Sequence, residues 1–235
     1  MATKKKIVVN DYIKDVPITL DEHPFYGLQI TDEEQKHYRD SIWNPDKKII
    51  LCDSVAGSGK TTIAIATACL LYHYGLYDGC YYIRTNSSER LGFLPGDLAS
   101  KERPYMLPLF NTMINIGENP YTTINDGSME AQKNGIGFFS AFTDAYILGT
   151  DWSKKVIIID EAQCMTTDAL RAIITRAHDD CKVICIGSSL QIQGIKKEDS
   201  GFAHCIEHFS DRPWAEVCHL TKNYRGEMSA WADKL

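Results

Sequence analysis

The fold of this chain is decided by residues 52–62, which read CDSVAGSGKTT. The apolar run Ile49–Leu51 precedes them, and a helical pattern rich in Ala and Leu follows over Thr61–Tyr74. Small residues between a strand and a helix allow consecutive backbone N–H groups to surround phosphate oxygens at the helix N-terminus. The stretch therefore predicts a nucleotide-phosphate loop, although Ser54 stands where the usual pattern begins with glycine.

Two side chains of this loop have predicted roles. Lys60 is expected to reach the β- and γ-phosphates, and Thr61 is expected to ligate Mg²⁺. ATP with Mg²⁺ is therefore the predicted ligand. The residues expected to contact it in the loop are Ala56, Gly57, Ser58, Gly59, Lys60, Thr61 and Thr62.

Five short apolar runs are candidates for buried strands, because their apolar residues are continuous rather than alternating. They are Ile49–Cys52, Cys80–Arg84, Val156–Asp160, Val183–Gly187 and Glu216–Leu220. Helical patterns lie between them, over Thr61–Tyr74 and Thr167–His178, the second with Thr166 or Thr167 as N-cap. Strands alternating with helices predict an α/β fold with a mostly parallel, doubly wound sheet and helices on both faces.

The chain is expected to form one domain over residues 31–235, preceded by an N-terminal extension over residues 1–30. A helix is expected to start at residues 31–35. Residues 94–148 interrupt the alternation of strands and helices and contain several proline and glycine turn signals. We interpret them as one insertion that includes helix and could include a hairpin.

The composition limits the classes of protein. The 235 residues are 44% hydrophobic and 24% charged, as in globular domains. The sequence shows neither a membrane-length apolar run nor a secretory signal, and its eight cysteines form no Cys-x-x-Cys pair. These features predict a cytoplasmic protein with buried thiols. The net charge of −6 argues against a broad nonspecific grip on DNA, so any nucleic-acid contact is expected to be local or spread over an assembly.

The apolar run Val156–Ile159 ends in an acidic pair, Asp160 and Glu161. The carboxyl ends of parallel strands meet at one edge, so this pair is expected to face the phosphate loop. Asp160 would then hold Mg²⁺, and Glu161 would orient and deprotonate the attacking water. An acidic pair can also be a solvated strand end, but beside a phosphate loop it favours hydrolysis.

Two further polar side chains follow the next strands. Gln191 could contact the γ-phosphate or the attacking water, and Arg225 could stabilise charge on the leaving phosphate. Each is also compatible with an ordinary surface loop. The predicted catalytic set is therefore Lys60, Glu161, Gln191 and Arg225.

These motifs resemble, in order, those of superfamily 1 helicases: Asp-Glu-Ala-Gln at 160–163, Gly-x-x-x-Gln at 187–191 and Asn-Tyr-Arg at 223–225. The run Leu-Gly-Phe-Leu-Pro-Gly-Asp-Leu at 91–98 is similar to the signature of PhoH-like ATPases, single-domain relatives of those helicases. The resemblance covers about residues 35–225 and implies a RecA-like P-loop NTPase core with Walker A and Walker B motifs. It also implies that Gln35 recognises adenine.

The PhoH-like resemblance further implies a ring of several copies and, in some members, activity on RNA; whether this chain acts as a helicase is left open. The sequence departs from the family at Ser54, at Ser188 in place of aspartate, and at Leu148–Thr150, where the arginine-rich turn is missing. These departures are expected to affect coupling or assembly more than nucleotide binding. Several aromatic side chains could stack on single-stranded bases or pack in the core, namely Tyr81, Tyr82, Phe93 and Tyr105.

The favoured function is ATP hydrolysis coupled to RNA or another single-stranded nucleic acid. Two alternatives remain at this point. One is a nucleotide-dependent switch that acts on a protein partner without processive work. The other is a nucleoside kinase of the thymidine kinase type, a class that usually carries Cys-x-x-Cys zinc pairs, which this chain does not have.

Overall fold

A seven-stranded sheet forms the centre of the computed structural model, which describes residues 5–9, 12–85, 98–125, 137–143 and 151–233. Every strand pair in this sheet is parallel. The spatial order is β5-β6-β4-β7-β8-β3-β9. These strands are β3 Ile49–Ser54, β4 Cys80–Arg84, β5 Ile124–Asn125, β6 Phe139–Thr143, β7 Val156–Asp160, β8 Lys182–Gly187 and β9 Ala215–Leu220.

The helices connect these strands and lie on both faces of the sheet. The α-helices among the described residues are, in chain order, α1 Glu33–Trp43, α2 Lys60–His73, α3 Leu98–Asn115, α4 Pro120–Thr123, α5 Thr167–Ile174, α6 Gly201–Phe209 and α7 Glu227–Ala232. The α/β fold with a parallel sheet predicted from the sequence is confirmed. All five predicted strands form, each within two residues of its expected bounds.

The alternation of side chains along each strand divides the core into two clusters. Ile50 and Ile158 belong to a cluster with α1, α2 and α3, whereas Leu51 and Ile157 belong to a cluster with α5 and α6. Successive residues of a strand point to opposite faces. A continuous apolar run is therefore needed to bury both faces, and this is why the strands are recognisable in the sequence.

The described part of residues 94–148 joins the main sheet. After α3 and α4, strands β5 and β6 extend one edge of the sheet, with Ile124 opposite Phe139. Because this pair is parallel, it is not the hairpin that the sequence left open. Strand β5 was difficult to recognise in the sequence, since it has only two residues.

The predicted helix boundaries needed small corrections. The helix expected to start at residues 31–35 begins at Glu33, and Asp32 caps it by accepting from the backbone N–H groups of Glu34 and Gln35. Thr166 caps α5 as expected, but α5 ends at Ile174 instead of His178. It ends early because the main chain beyond it pairs with Trp152, which bonds to both Arg176 and His178.

The N-terminal residues form a separate two-stranded antiparallel sheet, β1 Lys5–Val9 with β2 Tyr12–Val16. After it, Leu20 and Phe25 are buried in the cluster that contains α1 and α2. The later part of the expected extension therefore packs on the domain core. Within the residues that the structure describes, no helix is both long enough and apolar enough to cross a membrane.

Candidate nucleotide site

The predicted phosphate loop lies between β3 and α2 at the carboxyl edge of the sheet. Gly57 and Gly59 have φ angles of +67° and +85°, which side-chain-bearing residues rarely adopt. A Cβ atom on Gly57 would lie 2.7 Å from Cγ of Arg225. Glycine at 57 is therefore required both by the backbone and by its neighbour.

Thr61 and Asp160 are brought together at this edge. The Oγ1 atom of Thr61 lies 3.5 Å from Oδ1 of Asp160, and the hydroxyl of Tyr82 donates to Oδ2 of Asp160 at 2.5 Å. Burial and the negative charge of Glu161 raise the pKa of the Asp160 carboxyl, while the bond from Tyr82 and the charge of Lys60 act in the opposite direction. Asp160 is thus a buried carboxylate with cationic and hydroxyl neighbours.

Glu161 is held in a conformation rarely adopted by L residues. Its φ angle is +56°, and its carboxylate accepts from Arg84 at 3.5 Å and from Gln163 at 2.7 Å. Left-handed backbone at a non-glycine residue persists only where the surroundings stabilise it. The turn after β7 therefore directs the Glu161 side chain away from the strand axis and towards Arg84 and Gln163.

Gln163 connects the acidic turn to the end of β8. Its amide nitrogen donates to Glu161 and to the backbone carbonyl of Gln191, and its amide oxygen accepts from the N–H of Ser188. The side chain is buried, so each of these bonds is formed away from water. A displacement of Gln191 would therefore be transmitted to Glu161.

Ser54, which departs from the family pattern, and the adjacent Asp53 both bond to the end of β8 or to the loop that follows it. Ser54 is buried and donates to the carbonyl of Gly187 at 3.2 Å, which joins the ends of β3 and β8. The adjacent Asp53 accepts from both the N–H and the hydroxyl of Ser189 at 2.9 Å. An acidic side chain thus binds the loop after β8, although position 188 itself is a serine.

Gln191 is close to the phosphate loop, and its bonding partner was not predicted. Its amide donates to Oδ1 of Asp233 at 2.5 Å, and the other oxygen of Asp233 accepts from the backbone N–H of Ala56 at 3.0 Å. Asp233 follows α7, far along the sequence from both partners. No local pattern around Asp233 indicated this contact.

Arg225 also lies against the loop. Its side-chain carbons pack beside Gly57, and the N–H of the preceding Tyr224 donates to the carbonyl of Gly57 at 2.9 Å. Asn223 accepts from the Arg225 N–H and donates to Ser229. The Asn-Tyr-Arg segment therefore contacts the predicted nucleotide site within a single copy of the chain.

Gln35 extends from α1 to the other side of the loop. Its amide donates to the carbonyl of Ser58 at 2.8 Å. The hydroxyls of Ser58 and Ser188 are buried without a hydrogen-bond partner among the described residues. Buried hydroxyls without partners are costly, so a polar ligand that bonded to these two would remove that cost. Together with Lys60, Thr61 and Asp160, they fit a magnesium–nucleotide.

Some sequence predictions have a different outcome or cannot be followed. Tyr82 is 1% exposed and bonded to Asp160, so it belongs to the core and not to a base-stacking surface. Tyr81 packs against Trp152. Several predicted features lie outside the described part of the structure: the signature at residues 91–97 with Phe93, the turn at 148–150 and the side chain of Tyr105.

The sequence analysis did not identify three residues that the structure places at the site, namely Arg84, Tyr82 and Asp233. They were missed because their partners come from distant strands and loops.

A phosphate loop between a strand and a helix, facing an acidic strand end in a parallel sheet, defines the P-loop NTPase class of α/β proteins. The model of one family, described as "PhoH-like protein", matches residues 28–231. The chain therefore belongs to the PhoH-like family, as its motifs predicted.

Curated relatives are similar over most of this chain. Protein PhoH2 of Bacillus subtilis is 26% identical over 223 residues, covering 93% of this chain and 50% of the relative. Protein PhoH of Escherichia coli K12 is 29% identical over 194 residues, covering 81% of this chain and 52% of the relative. A PhoH-like protein of Synechocystis is 30% identical over 190 residues, covering 80% and 55%. The chain thus spans about half the length of these relatives.

Solved structures resemble the chain more remotely. The large terminase of a thermophilic bacteriophage matches with a TM-score of 0.49 and 13% identity, covering 82% of this chain and 46% of the terminase. Pif1 of a Bacteroides species matches with a TM-score of 0.40 and 18% identity, covering 85% and 44%.

Proposed function

We propose that this chain binds ATP with Mg²⁺ at the loop of residues 56–62 and hydrolyses it. The observation that carries the proposal is the meeting of Thr61 and Asp160 at 3.5 Å, directly beside the Glu161 turn. A phosphate loop alone supports binding, whereas a carboxylate pair beside it supports hydrolysis. Membership of the PhoH-like family supports the same assignment.

The residues have distinct roles in the proposed reaction. Bound Mg²⁺ would neutralise phosphate charge, with Thr61 and Asp160 as its protein ligands. Lys60 binds the phosphates, and Glu161 accepts the proton of the attacking water. Gln35 is proposed to recognise adenine from the other side of the loop, next to the Ser58 carbonyl that it now binds.

Gln191 and Arg225 are proposed to respond to the terminal phosphate. Arg225 packs directly against Gly57, and Gln191 is connected to Ala56 through Asp233. Gln163 links Gln191 to Glu161, so a bond formed by Gln191 can change the position of the base. This connection supports coupling of hydrolysis to a second event. We propose that this event is the binding of single-stranded RNA or DNA, in an assembly of several copies.

A steady-state measurement of ATP hydrolysis with and without single-stranded RNA tests the proposal. Glu161→Gln keeps the size of the side chain and removes the base, so the rate should fall by a factor of about 100 or more. Glu207→Gln on the exposed surface of α6 makes the same charge change and should leave the rate unchanged. A wild-type rate that is not lowered by Glu161→Gln contradicts the hydrolytic role. A hydrolysis rate that is the same with and without RNA contradicts only the proposed coupling to nucleic acid.

A second candidate function is a nucleotide-dependent switch that acts on a protein partner. The observation that favours it is the apolar surface of α7 beside the loop, where Met228 is 88% exposed and Trp231 is 72% exposed. Exposed apolar side chains that lie together are typical of interaction sites. Slow hydrolysis that increases with a protein partner and not with RNA would favour this candidate.

We also propose a cellular compartment for this chain. All eight cysteines are buried thiols in the structure. Burial raises the pKa of the thiols of Cys80 and Cys218, which keeps them in the unreactive protonated form. Cysteines kept as buried thiols are typical of a reducing compartment. This supports a cytoplasmic location, which fractionation of cells can test.

A further inference from the structure

The short helix α7 lies on the surface beside the phosphate loop. None of its six residues is buried. The helix begins after Gly226, which has a φ angle of +115° that side-chain-bearing residues rarely adopt. Its side-chain bonds to the domain include that of Ser229 with Asn223 and those of Asp233, directly after the helix, with the loop. Polar bonds, rather than a buried apolar face, therefore hold α7 in this position.

The carboxylate of Asp233 occupies two donors at the edge of the phosphate loop. Oδ2 accepts from the N–H of Ala56 at 3.0 Å, and Oδ1 accepts from the amide of Gln191 at 2.5 Å. Both donors belong to the loops that were predicted to contact a nucleotide. A carboxylate and a phosphate are both anions that accept from N–H groups, so a phosphate bound at this edge would compete with Asp233 for the same donors.

The position of Gln191 indicates which phosphate competes. Its backbone carbonyl is bonded to Gln163, and the same amide of Gln163 is bonded to Glu161. Glu161 is the proposed base for attack on the terminal phosphate. Gln191 is therefore connected through Gln163 to the proposed base, so we expect its amide to contact a third phosphate, which a nucleoside diphosphate does not have.

We propose that the carboxylate of Asp233 is an internal competitor for the terminal phosphate, and that binding of a nucleoside triphosphate detaches α7 from the loop. We call the contact of Asp233 with Ala56 and Gln191 the Asp233 latch. The inference rests on the proposed nucleotide site but adds a regulatory step that hydrolysis alone does not require. Two anions cannot share these donors without repulsion, so the latch is closed in the free and diphosphate-bound states and open in the triphosphate-bound state.

Opening of the latch changes the surface beside the site. Met228 and Trp231 lie on α7, which begins directly after Gly226. The position of the apolar side chains of α7 thus depends on which nucleotide is bound. A nucleotide-dependent surface of this kind would link the reaction to whatever binds next to the loop.

Calorimetric titration with Mg²⁺ and either ADP or a non-hydrolysable ATP analogue tests the latch. Asp233→Asn keeps the shape of the side chain and removes its charge, so the analogue should bind about threefold to tenfold more tightly, while ADP affinity stays within about twofold. Glu227→Gln, on the first turn of the same helix, makes the same charge change at an exposed residue that has no part in the latch. Its affinities should equal those of the wild type.

A fluorescence measurement gives a second readout that does not depend on activity. The chain has four tryptophans, and Trp231 lies two residues before Asp233. The emission of the wild type should change with the ATP analogue and not with ADP. The change should be absent in Trp231→Phe and should already be present in Asp233→Asn without nucleotide.

The outcomes separate the latch from the proposed function. If the wild type binds both nucleotides and Asp233→Asn binds the analogue no more tightly, the latch is wrong and the nucleotide site stands. Weaker binding of the analogue by Asp233→Asn also overturns the latch, because Asp233 would then position Gln191 for the nucleotide. If the wild type binds neither nucleotide, both the proposed function and the latch fail. Thermal unfolding of each variant confirms that it is folded.

Discussion

The hydroxyl of Tyr82 donates a 2.5 Å hydrogen bond to Asp160, and both side chains are buried. The two residues lie on neighbouring strands, where Tyr82 is opposite Ile158 and Arg84 is opposite Asp160. A buried carboxylate needs such a donor, because its charge is otherwise costly away from water. Tyr82 therefore positions the carboxylate that is proposed to hold Mg²⁺.

Replacement of Tyr82 by phenylalanine should destabilise the fold. Tyr82→Phe leaves Asp160 without its hydroxyl donor, which should lower the free energy of unfolding by about 1–3 kcal/mol. Urea denaturation at pH 7 measures this change. Tyr121→Phe is a suitable control because Tyr121 is 76% exposed, and its effect should stay within about 0.5 kcal/mol. Equal stabilities of Tyr82→Phe and the wild type would contradict the role of this bond.

Replacement of Gly57 by alanine should be more damaging than the same change at Gly27. Both glycines have positive φ angles, +67° and +72°, so each alanine costs about 1 kcal/mol in backbone strain. At Gly57 the new Cβ would also meet Arg225 at 2.7 Å, whereas no described atom lies within 4 Å of a Cβ at Gly27. We expect Gly57→Ala to lose stability beyond that strain and to weaken ATP binding.

The difference between these two alanine variants isolates the contact with Arg225. Unfolding curves and nucleotide titrations should be recorded for both. Gly27→Ala should bind ATP as the wild type does. If Gly57→Ala is no less stable than Gly27→Ala, then the segment containing Arg225 is not packed against the loop as the structure has it.

The stability of the fold should depend on pH through Lys182. Its side chain is 0% exposed, and its amine donates to the backbone carbonyls of Asn44 and Lys47. Burial lowers the pKa of this amine to about 7. Between pH 7 and the ordinary lysine range, the unfolded chain binds more protons than the folded chain. The Lys182 contribution to stability therefore increases with pH in this window, by at most about 1.4 kcal/mol per pH unit.

Lys182→Met tests this dependence. The variant should be less stable, because two buried carbonyls lose their donor. Its unfolding free energy should also lack the increase with pH that Lys182 contributes in the wild type. The difference in unfolding free energy between wild type and variant, followed from pH 6 to pH 9, should be flat below about pH 7 and grow above it. Using the difference removes the titration of the buried thiols, which is common to both proteins. A difference that is constant with pH would contradict the lowered pKa.

Much of the architecture could be read from local patterns. The runs at 49–52, 80–84, 156–160, 183–187 and 216–220 were recognisable because strands buried on both faces are apolar throughout. The loop at 56–62 was recognisable because its glycines precede a helix. The parallel sheet then predicted that this loop and the acidic pair Asp160–Glu161 lie at the same edge. The strands β5 and β6 were not recognised, since one is only two residues long and neither has a distinctive pattern.

The sequence by itself determined the class of fold, the phosphate loop and the acidic strand end, because each depends on residues that are adjacent along the chain. Only the tertiary structure decided the partners of those residues. Asp160 is bonded to Tyr82, 78 positions away, and Asp233 contacts Ala56 across 177 positions. Such contacts depend on strand order, register and the direction of the short helix α7. These are decided by the packing of the whole core, and no single segment of the sequence carries that information.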